Sequence, residues 1–404
     1  GAESEYDVIK WIGGGAFGKV FLVCHREEQK HFVMKEVPDF ASMEAKQRDA
    51  TELEVQLLRG MRHPNIVAYR ESYINEAGHF CIIMEYCEHG DAHSYMQTLR
   101  RVGQGPMAEA QVWEWLVQIT LALSALHARK ILHRDLKTQN VLLSGPGPDA
   151  AMGTPQSVPP TPLASQAMQH VPSGAGRFVV KLGDLGIARM LDSTHDFAAT
   201  QIGTPFSMSP EVFNSKPYSY ESDVWGLGCV FYELLHCGQR PFEAQSINGL
   251  ALKVLRGRCA PITAACGDDA KQLIKSMLDT NPKKRATLQD VLHVPSAQAQ
   301  VPAAVRAAVQ ASETPRVKTE MEEVLASQLA ALGVDLLPPS DRTLLPGAKP
   351  LLSGRGEMKK ASSRRQAILH RGIERAERRK KREEETLRRL QETAEVLKGY
   401  LREG

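Results

Sequence analysis

The sequence predicts an α+β fold of two lobes: a small, mainly antiparallel β lobe with one key helix, then a larger α-helical lobe, followed by a linker and a C-terminal helix. Strand-like segments crowd into the first 88 residues, and helical spacing dominates from residue 106 onward. Strands first and helices later are typical of α+β proteins. The chain has 404 residues, 42% of them apolar, and can therefore bury a sizeable core.

The small lobe is assigned to residues 6–88. Strands over 6–12 and 19–24 flank a glycine-rich stretch, and a third strand covers 31–37. Apolar residues at helical spacing predict a helix over 42–62, which His63-Pro64 ends. Two more strands follow, the second at 80–84.

The larger lobe, over 89–294, completes one domain of residues 1–294. Helical patterns cover 113–127, 223–235, 247–255 and 270–278. The segment 145–177 breaks the pattern because it is rich in Pro, Gly, Ala and Ser and poor in large apolar residues. Such a composition cannot bury enough surface to fold. We predict a disordered insertion between two strands, 140–143 and 178–182.

The composition changes again after this domain. We predict a mostly disordered linker over 295–363, with one short helix at 318–332. Residues 364–402 predict a charged helix, either a short coiled coil that joins a homodimer or a partner, or a solvated helix. Its basic run, 378–382, is a nuclear import signal, a patch for anionic surfaces, or part of that solvated face.

Several classes of protein are disfavoured. The net charge of +3 predicts neither a nucleic-acid nor a membrane partner, and no aromatic residues interleave with the C-terminal charges. No run of about 18 apolar residues exists, so no membrane span is expected, and no secretory signal is visible. The seven cysteines are irregularly spaced without a C-x-x-C, which argues against disulfides or zinc and favours a reducing compartment.

The string over residues 133–140, His-Arg-Asp-Leu-Lys-Thr-Gln-Asn, carries the chemistry. Asp135 is the candidate acceptor of a hydroxyl proton, and Lys137 is a candidate phosphate contact. Asn140 and Asp184, the latter in Asp-Leu-Gly, are candidate Mg²⁺ ligands. This order is the one that phosphoryl transfer in protein kinases uses.

A glycine-rich stretch precedes that string. Gly13, Gly15 and Gly18 let backbone amides approach phosphate oxygens. Gly-x-Gly-x-x-Gly alone also occurs in dinucleotide-binding folds, but there a helix follows directly, whereas Val20 here opens a strand-like run.

Lys35, in the third strand, is expected to pair with ATP phosphates. Its carboxylate partner on the following helix is Glu54 or Glu52. We favour Glu54 because it shares a helical face with Leu58, toward the core.

The chain resembles the NIMA-related (Nek) serine/threonine protein kinases over about residues 6–294. The resemblance implies a bilobal protein-kinase fold that binds ATP and Mg²⁺ between its lobes. The strings that carry it are Val33-x-Lys35-Glu-Val, His63-Pro-Asn-Ile-Val, Met84-Glu-Tyr-Cys87-Glu-x-Gly-Asp91, Asp184-Leu-Gly-Ile-Ala-Arg, Ile202-Gly-Thr-Pro-x-x-x-Ser-Pro-Glu and Arg240-Pro-Phe-Glu-Ala.

The same resemblance implies an adenine site at the backbones of Glu85 and Cys87, beside Met84 as gatekeeper. Two features depart from the family pattern: His89 replaces the usual Gly, and the insertion over 145–177 is not a family feature. The residues assigned to ATP binding are Ile12, Gly13, Gly14, Gly15, Ala16, Phe17, Gly18, Val20, Val33, Lys35, Met84, Glu85 and Cys87.

Residues 200–211 fit an activation segment. Thr200 is the expected phosphosite, and Arg134 is expected to hold its phosphate in a bidentate pair. Thr204 is expected to contact Asp135 and Lys137. These assignments make phosphorylation of the loop the expected switch.

Three further residues are assigned structural roles. Glu211 is expected to pair with Arg285, and Asp223 is expected to hold the backbone of the catalytic loop. None of the three is expected to take part in chemistry.

The predicted function is that of a serine/threonine protein kinase that acts on protein substrates, with Thr200 phosphorylated by an upstream kinase or by the protein itself. Lys137 indicates Ser/Thr rather than tyrosine acceptors. The rival interpretation, a catalytically weak pseudokinase scaffold acting through its C-terminal helix, is disfavoured because Lys35, Asp135, Asn140 and Asp184 are all present. The resemblance implies a role in the cell cycle, at centrosomes or basal bodies, or at cilia. We expect a cytoplasmic protein, with the cytoskeleton or the nucleus as further locations.

Overall fold

An antiparallel five-stranded sheet forms the first lobe. Its strands lie in the order β1-β2-β3-β5-β4, as the predicted β lobe requires. The register places Val20 opposite Lys35, so Lys35 lies beside the glycine-rich turn. The strands are β1 (Tyr6–Gly15), β2 (Gly18–His25), β3 (Lys30–Val37), β4 (Tyr69–Ile74) and β5 (Phe80–Glu85).

The computed structural model of the chain describes residues 5–15, 18–38, 40–42, 48, 55, 59–145, 178–184, 205–310 and 314–334. The predicted insertion, apart from Gly145, and the predicted charged helix over 364–402 lie outside these residues. Within the predicted helix over 42–62, Arg48, Val55 and Arg59 are helical, and Val55 is buried. No helix in the described part of the chain is long and apolar enough to span a membrane.

The second lobe is mainly helical, as predicted. Its two longest helices are buried on almost every face, as expected for helices at the centre of a lobe. The helices are α1 (Ala92–Arg101), α2 (Glu109–Ala128), α3 (Pro210–Phe213), α4 (Tyr220–Leu235), α5 (Ile247–Leu255), α6 (Asp268–Met277) and α7 (Leu288–His293).

A two-stranded hairpin and a short turn carry the predicted catalytic residues. β6 (Val141–Ser144) pairs antiparallel with β7 (Val179–Leu182). A turn of 3₁₀ helix, Thr138–Asn140, leads into β6, and Asp184 comes just after β7. The hairpin therefore brings the end of the catalytic loop close to the Asp184 segment.

The prediction of a mostly disordered linker from residue 295 is wrong over 295–334. Two helices occupy this segment, α8 (Pro295–Gln310) and α9 (Pro315–Ala331). Two of the prolines were misleading: Pro295 opens α8 and Pro315 lies in the first turn of α9, where proline is tolerated. A third, Pro302, lies inside α8. The alanines of α8 form a buried face that packs against α2, because small side chains allow close approach. The predicted short helix over 318–332 is part of α9.

Candidate active site

The catalytic loop holds Asp135, Lys137 and Asn140 in one hydrogen-bonded group. Lys137 Nζ lies 2.7 Å from Asp135 Oδ2. Asn140 Nδ2 donates to the Asp135 carbonyl at 2.7 Å and to its Oδ2 at 3.2 Å. Three of the residues expected around a transferred phosphate thus meet at one place.

Asp223, in the first turn of α4, holds the backbone of this loop in place. Its carboxylate is fully buried and accepts from the amides of His133 at 2.9 Å and Arg134 at 3.0 Å. Tyr218 Oη donates to it at 2.6 Å, and His127 Nε2 lies 2.8 Å away. Burial alone would raise the pKa of Asp223, but these hydrogen bonds and the neighbouring histidines lower it. The carboxylate therefore stays ionised and fixes the loop.

Arg134 adopts a strained backbone conformation within this loop. Its φ is +65°, in the left-handed region that costs a non-glycine residue about 1 kcal/mol. The hydrogen bonds that the His133 and Arg134 N–H groups donate to Asp223 hold this part of the loop in place. The loop geometry thus depends on a buried acceptor rather than on local preference.

Lys35 and Asp184 form an ion pair that joins the two lobes. The side chain of Lys35 is 12% exposed and that of Asp184 48%. Burial would raise the pKa of Asp184, but the Lys35 ammonium lowers it below its usual value. In this structure the Asp184 carboxylate lies beside Lys35; the predicted partner Glu54 lies outside the described residues.

The glycine-rich turn between β1 and β2 has one position that only glycine can fill. Gly18 has a φ of +124°, and a Cβ there would lie 1.9 Å from the Glu36 carbonyl oxygen. β1 and β2 pair up to Gly15 opposite Gly18, while the predicted residues Ala16 and Phe17 lie outside the described part. The turn therefore stays next to the strand that carries Lys35.

The predicted adenine-binding segment runs on from the end of β5. Met84 pairs with Val33 across the sheet, and Cys87 is buried, which raises the pKa of its thiol. The Glu85 carboxylate forms an ion pair with Lys181 Nζ, 2.9 Å away. Sequence reasoning missed this pair, although a lysine within the apolar run of β7 was a signal for a buried partner.

His89, which departs from the family pattern, contacts both ends of the insertion. Its Nε2 lies 2.8 Å from the Gly145 carbonyl oxygen, and its ring packs against Phe178 with centroids 5.2 Å apart. The neighbouring Glu88 accepts from the amide of Gly145 at 2.9 Å and from Ser144 Oγ at 3.1 Å. A glycine at position 89 would provide neither of the two contacts of the His89 side chain, so the two departures are structurally linked.

Glu211 and Arg285 form a buried bidentate ion pair. The two Nη–Oε distances are 2.8 and 2.9 Å, and Ser222 Oγ donates to Glu211 at 2.6 Å. Burial opposes ionisation, yet the hydrogen bonds from Arg285 and Ser222 lower the pKa of Glu211 to about 2. The pair ties the end of the expected activation segment to the helical lobe.

Glu233 of α4 lies against the catalytic loop and was not predicted. Thr138 Oγ1 donates to Glu233 Oε2 at 2.7 Å. Burial raises the pKa of Glu233 to about 7, although the Thr138 hydrogen bond opposes that rise. A lone glutamate in the otherwise apolar run of residues 229–235 was the signal for it.

The donor atoms near the loop fit a magnesium ion that also contacts phosphates. Asp184 supplies carboxylate oxygens. The Asn140 side chain uses its Nδ2 to bond Asp135, so its amide oxygen can serve as a metal ligand. Magnesium prefers such oxygen donors and completes its shell with water and phosphate. Among the described residues, no group of three or more His, Cys, Asp or Glu side chains could hold a metal ion.

Two predicted residues of the activation segment, Thr200 and Thr204, lie outside the described residues. Arg134 is described, but its expected phosphate partner on Thr200 is not. The contacts expected from Thr204 to Asp135 and Lys137 likewise remain predictions.

Comparisons with known proteins agree with this geometry. The family model of the protein kinase domain matches residues 6–296. The chain is 38% identical over 298 residues to serine/threonine-protein kinase Nek5 of Homo sapiens, which covers 74% of the chain and 37% of that protein. It is 37% identical over 293 residues to serine/threonine-protein kinase Nek4 of Mus musculus, with 72% and 32% covered. It is also 37% identical over 288 residues to serine/threonine-protein kinase Nek1 of Mus musculus, with 71% and 21% covered. The chain thus spans less than half the length of each of these relatives.

Proposed function

Because the chain belongs to the protein kinase family, and within it to the NIMA-related kinases, we propose that it transfers the terminal phosphoryl group of ATP to serine and threonine side chains of proteins. One observation carries the proposal. The ion pair of Lys35 with Asp184 and the group of Asp135, Lys137 and Asn140 gather the residues that this transfer requires.

In the proposed reaction, the acceptor hydroxyl oxygen attacks the terminal phosphorus of ATP, and ADP leaves with the electrons of the broken P–O bond. Asp135 orients the hydroxyl and takes its proton. Lys137 and Lys35 stabilise the negative charge on the phosphate oxygens. The geometry supports these roles because Lys137 Nζ already lies 2.7 Å from the Asp135 carboxylate.

Magnesium is proposed to bind at Asn140 and Asp184. When bound, it would neutralise the negative charge that develops on the phosphate during transfer. The lowered pKa of Asp184 keeps its carboxylate ionised and able to act as a ligand. The hydrogen bond from Asn140 Nδ2 to the Asp135 carbonyl sets the orientation of its amide.

Regulation is proposed at Thr200, phosphorylated by an upstream kinase or by the protein itself. A phosphate there would pair with Arg134, whose backbone the two hydrogen bonds to Asp223 fix. The ordered Arg134 supports the proposal because less freedom would be lost when the pair forms. Replacement of Thr200 by alanine tests it: full activity of a T200A variant would rule out the switch.

Wider roles are proposed from the family alone. The substrates would be proteins that regulate the cell cycle, centrosomes, basal bodies or cilia. The protein would reside in the cytoplasm, at the cytoskeleton or in the nucleus. The helix predicted over 364–402 would join a second copy or a partner.

A transfer assay with labelled ATP and a peptide array tests the proposed activity. Wild-type protein is expected to label Ser- and Thr-containing peptides, whereas Lys35→Met abolishes labelling. Lys30→Met is the matched control because Lys30 lies at the exposed start of the same strand. Undiminished labelling by the K35M variant, or labelling confined to tyrosine, would refute the proposal.

A further inference from the structure

Gln328, in helix α9, bonds to both lobes. Its Oε1 lies 3.0 Å from His63 Nε2, a residue 265 positions away in the chain. Its Nε2 donates to the carbonyl of Leu121, in α2, at 2.6 Å. His63 is buried and belongs to the loop over 61–67, which follows the helix that contains Val55. One amide of the C-terminal extension therefore bridges this loop and the helical lobe.

The proton positions of this bridge are fixed by the surrounding bonds. The Asn65 amide donates to His63 Nδ1 at 3.1 Å, so Nδ1 accepts and the ring proton resides on Nε2. That proton is donated to Gln328 Oε1, which leaves Gln328 Nε2 to donate to Leu121. Each donor meets an acceptor in a single arrangement, which makes the contact directional.

The loop beyond His63 is bonded to the strand that leads to Asp184. Asn65 Nδ2 donates to the Val180 carbonyl at 2.9 Å. The Leu182 amide donates to the Asn65 carbonyl at 2.9 Å, and the Val67 amide donates to the Leu182 carbonyl at 2.9 Å. A displacement of the loop would therefore move β7, and Asp184 lies two residues beyond its end.

Helix α9 is itself anchored, so Gln328 is held in place. Met321, Leu325 and Leu329 recur every fourth residue and are buried along one face. At its end Gln289 Nε2 donates to the Leu332 carbonyl at 3.3 Å. An anchored helix can fix the position of the loop rather than follow it.

We infer that Gln328 is a positioning residue for phosphoryl transfer: through His63 and the 61–67 loop it fixes β7 and hence Asp184 opposite Lys35. The inference rests on the proposed kinase activity. It assigns a catalytic purpose to a helix that lies beyond the matched domain, which ends at residue 296.

The decisive experiment compares three variants of the full chain. Gln328→Met keeps the side-chain length but removes both hydrogen bonds. Gln328→Glu still accepts from His63 but cannot donate to Leu121. Ser327→Ala, on the exposed face of the same turn, is the matched control. The measurements are kcat, KM for ATP and for the peptide, and hydrogen exchange of the amides in 65–67 and 180–183.

The kcat of the Q328M variant is expected to be about tenfold lower, which corresponds to an activation free energy about 1.4 kcal/mol higher. Its KM for the peptide is expected to be unchanged. Q328E is expected to retain more activity, and S327A to match wild type. Amides in the two segments should exchange faster in Q328M. A purely structural role would lower the melting temperature but leave kcat per folded molecule unchanged.

Wild-type kcat in the folded Q328M variant would overturn the inference, and so would unchanged exchange in both segments. If Q328M does not fold, Gln328→Ala, which also removes both hydrogen bonds, takes its place, and wild-type kcat there overturns the inference. An inactive wild-type protein would instead refute the proposed function. In that case the exchange comparison alone decides whether Gln328 fixes β7.

Discussion

Lys35 Nζ and Asp184 Oδ1 form an ion pair although 149 positions separate them in the chain. The pair joins the sheet lobe to the end of β7. The Lys35 side chain is largely buried, so its ammonium group has lost part of its hydration. The Asp184 carboxylate beside it offsets that loss. The two side chains therefore depend on each other before any nucleotide binds.

Asp184→Asn is expected to reduce transfer activity about a hundredfold or more, because charge stabilisation at the transferred phosphate is lost. It also weakens the stabilisation that Mg²⁺ and ATP give the folded protein. A ligand at about a hundred times its Kd adds about 2.7 kcal/mol, and most of that gain should disappear. Thermal unfolding with and without Mg²⁺-ATP measures it.

Asp268→Asn is the control for this prediction, since Asp268 is 86% exposed and far less constrained. It should behave as wild type. Full activity and full stabilisation by Mg²⁺-ATP in D184N would contradict the assigned role.

Asp223→Ala is expected to remove the support of the catalytic loop. The backbone N–H groups of His133 and Arg134 would lose their buried acceptor, at a cost of about 1–3 kcal/mol each. Arg134 would then relax from its positive φ, and kcat should fall at least tenfold. Urea unfolding and steady-state kinetics measure the two effects.

Tyr218→Phe serves as the matched control, because it removes a single donor to the same carboxylate. It should cost about 1 kcal/mol and leave kcat close to wild type. Equal effects of D223A and Y218F on stability and kcat would show that the hydrogen bonds from the His133 and Arg134 N–H groups do not account for the losses.

The Glu211–Arg285 pair predicts a loss of stability in acid. The pKa of Glu211 falls from 4.5 to about 2 on folding, so its contribution is present above pH 4.5 and is lost as the pH falls towards 2. The full change corresponds to about 3 kcal/mol. Glu211→Gln should flatten the dependence between pH 5 and 3 while lowering stability at neutral pH, because Arg285 stays buried without a carboxylate.

Urea unfolding at a series of pH values tests this prediction. Glu243→Gln is the control, because that side chain is exposed. The same acid slope in E211Q as in wild type would mean that other carboxylates dominate.

The grouping of the candidate catalytic residues could be predicted because the proposed chemistry fixes both residue type and spacing. Asp135, Lys137 and Asn140 lie within one short string, so local sequence implies that they meet. Lys35 and Asp184 are distant, and only the family resemblance placed them together. Their direct ion pair in this structure depends on lobe geometry that no local pattern encodes.

The C-terminal extension shows where pattern reasoning fails. Alanine and proline suggested a linker, although alanine has the highest intrinsic helix propensity. Packing of the small-residue face against α2 adds the tertiary stabilisation that a short isolated helix lacks. The bond between Gln328 and His63 depends on this docking, and the family string that contains His63 does not predict it.

Glu233→Gln is expected to remove a pH dependence of the opposite sign. Burial raises the pKa of Glu233 from 4.5 to about 7. Protonated Glu233 therefore does not destabilise the folded protein below pH 4.5. As the pH rises through 7 its ionisation lowers the free energy of unfolding by up to about 3 kcal/mol. The E233Q variant has no ionisation to suppress, and its amide oxygen still accepts from Thr138. The E233Q variant should be more stable than wild type at pH 8 but not at pH 4.5.

Urea unfolding at the two pH values measures the difference. Glu221→Gln is the control, because Glu221 is an exposed residue in the first turn of α4. An equal gain at both pH values would assign the effect to packing rather than to the buried charge.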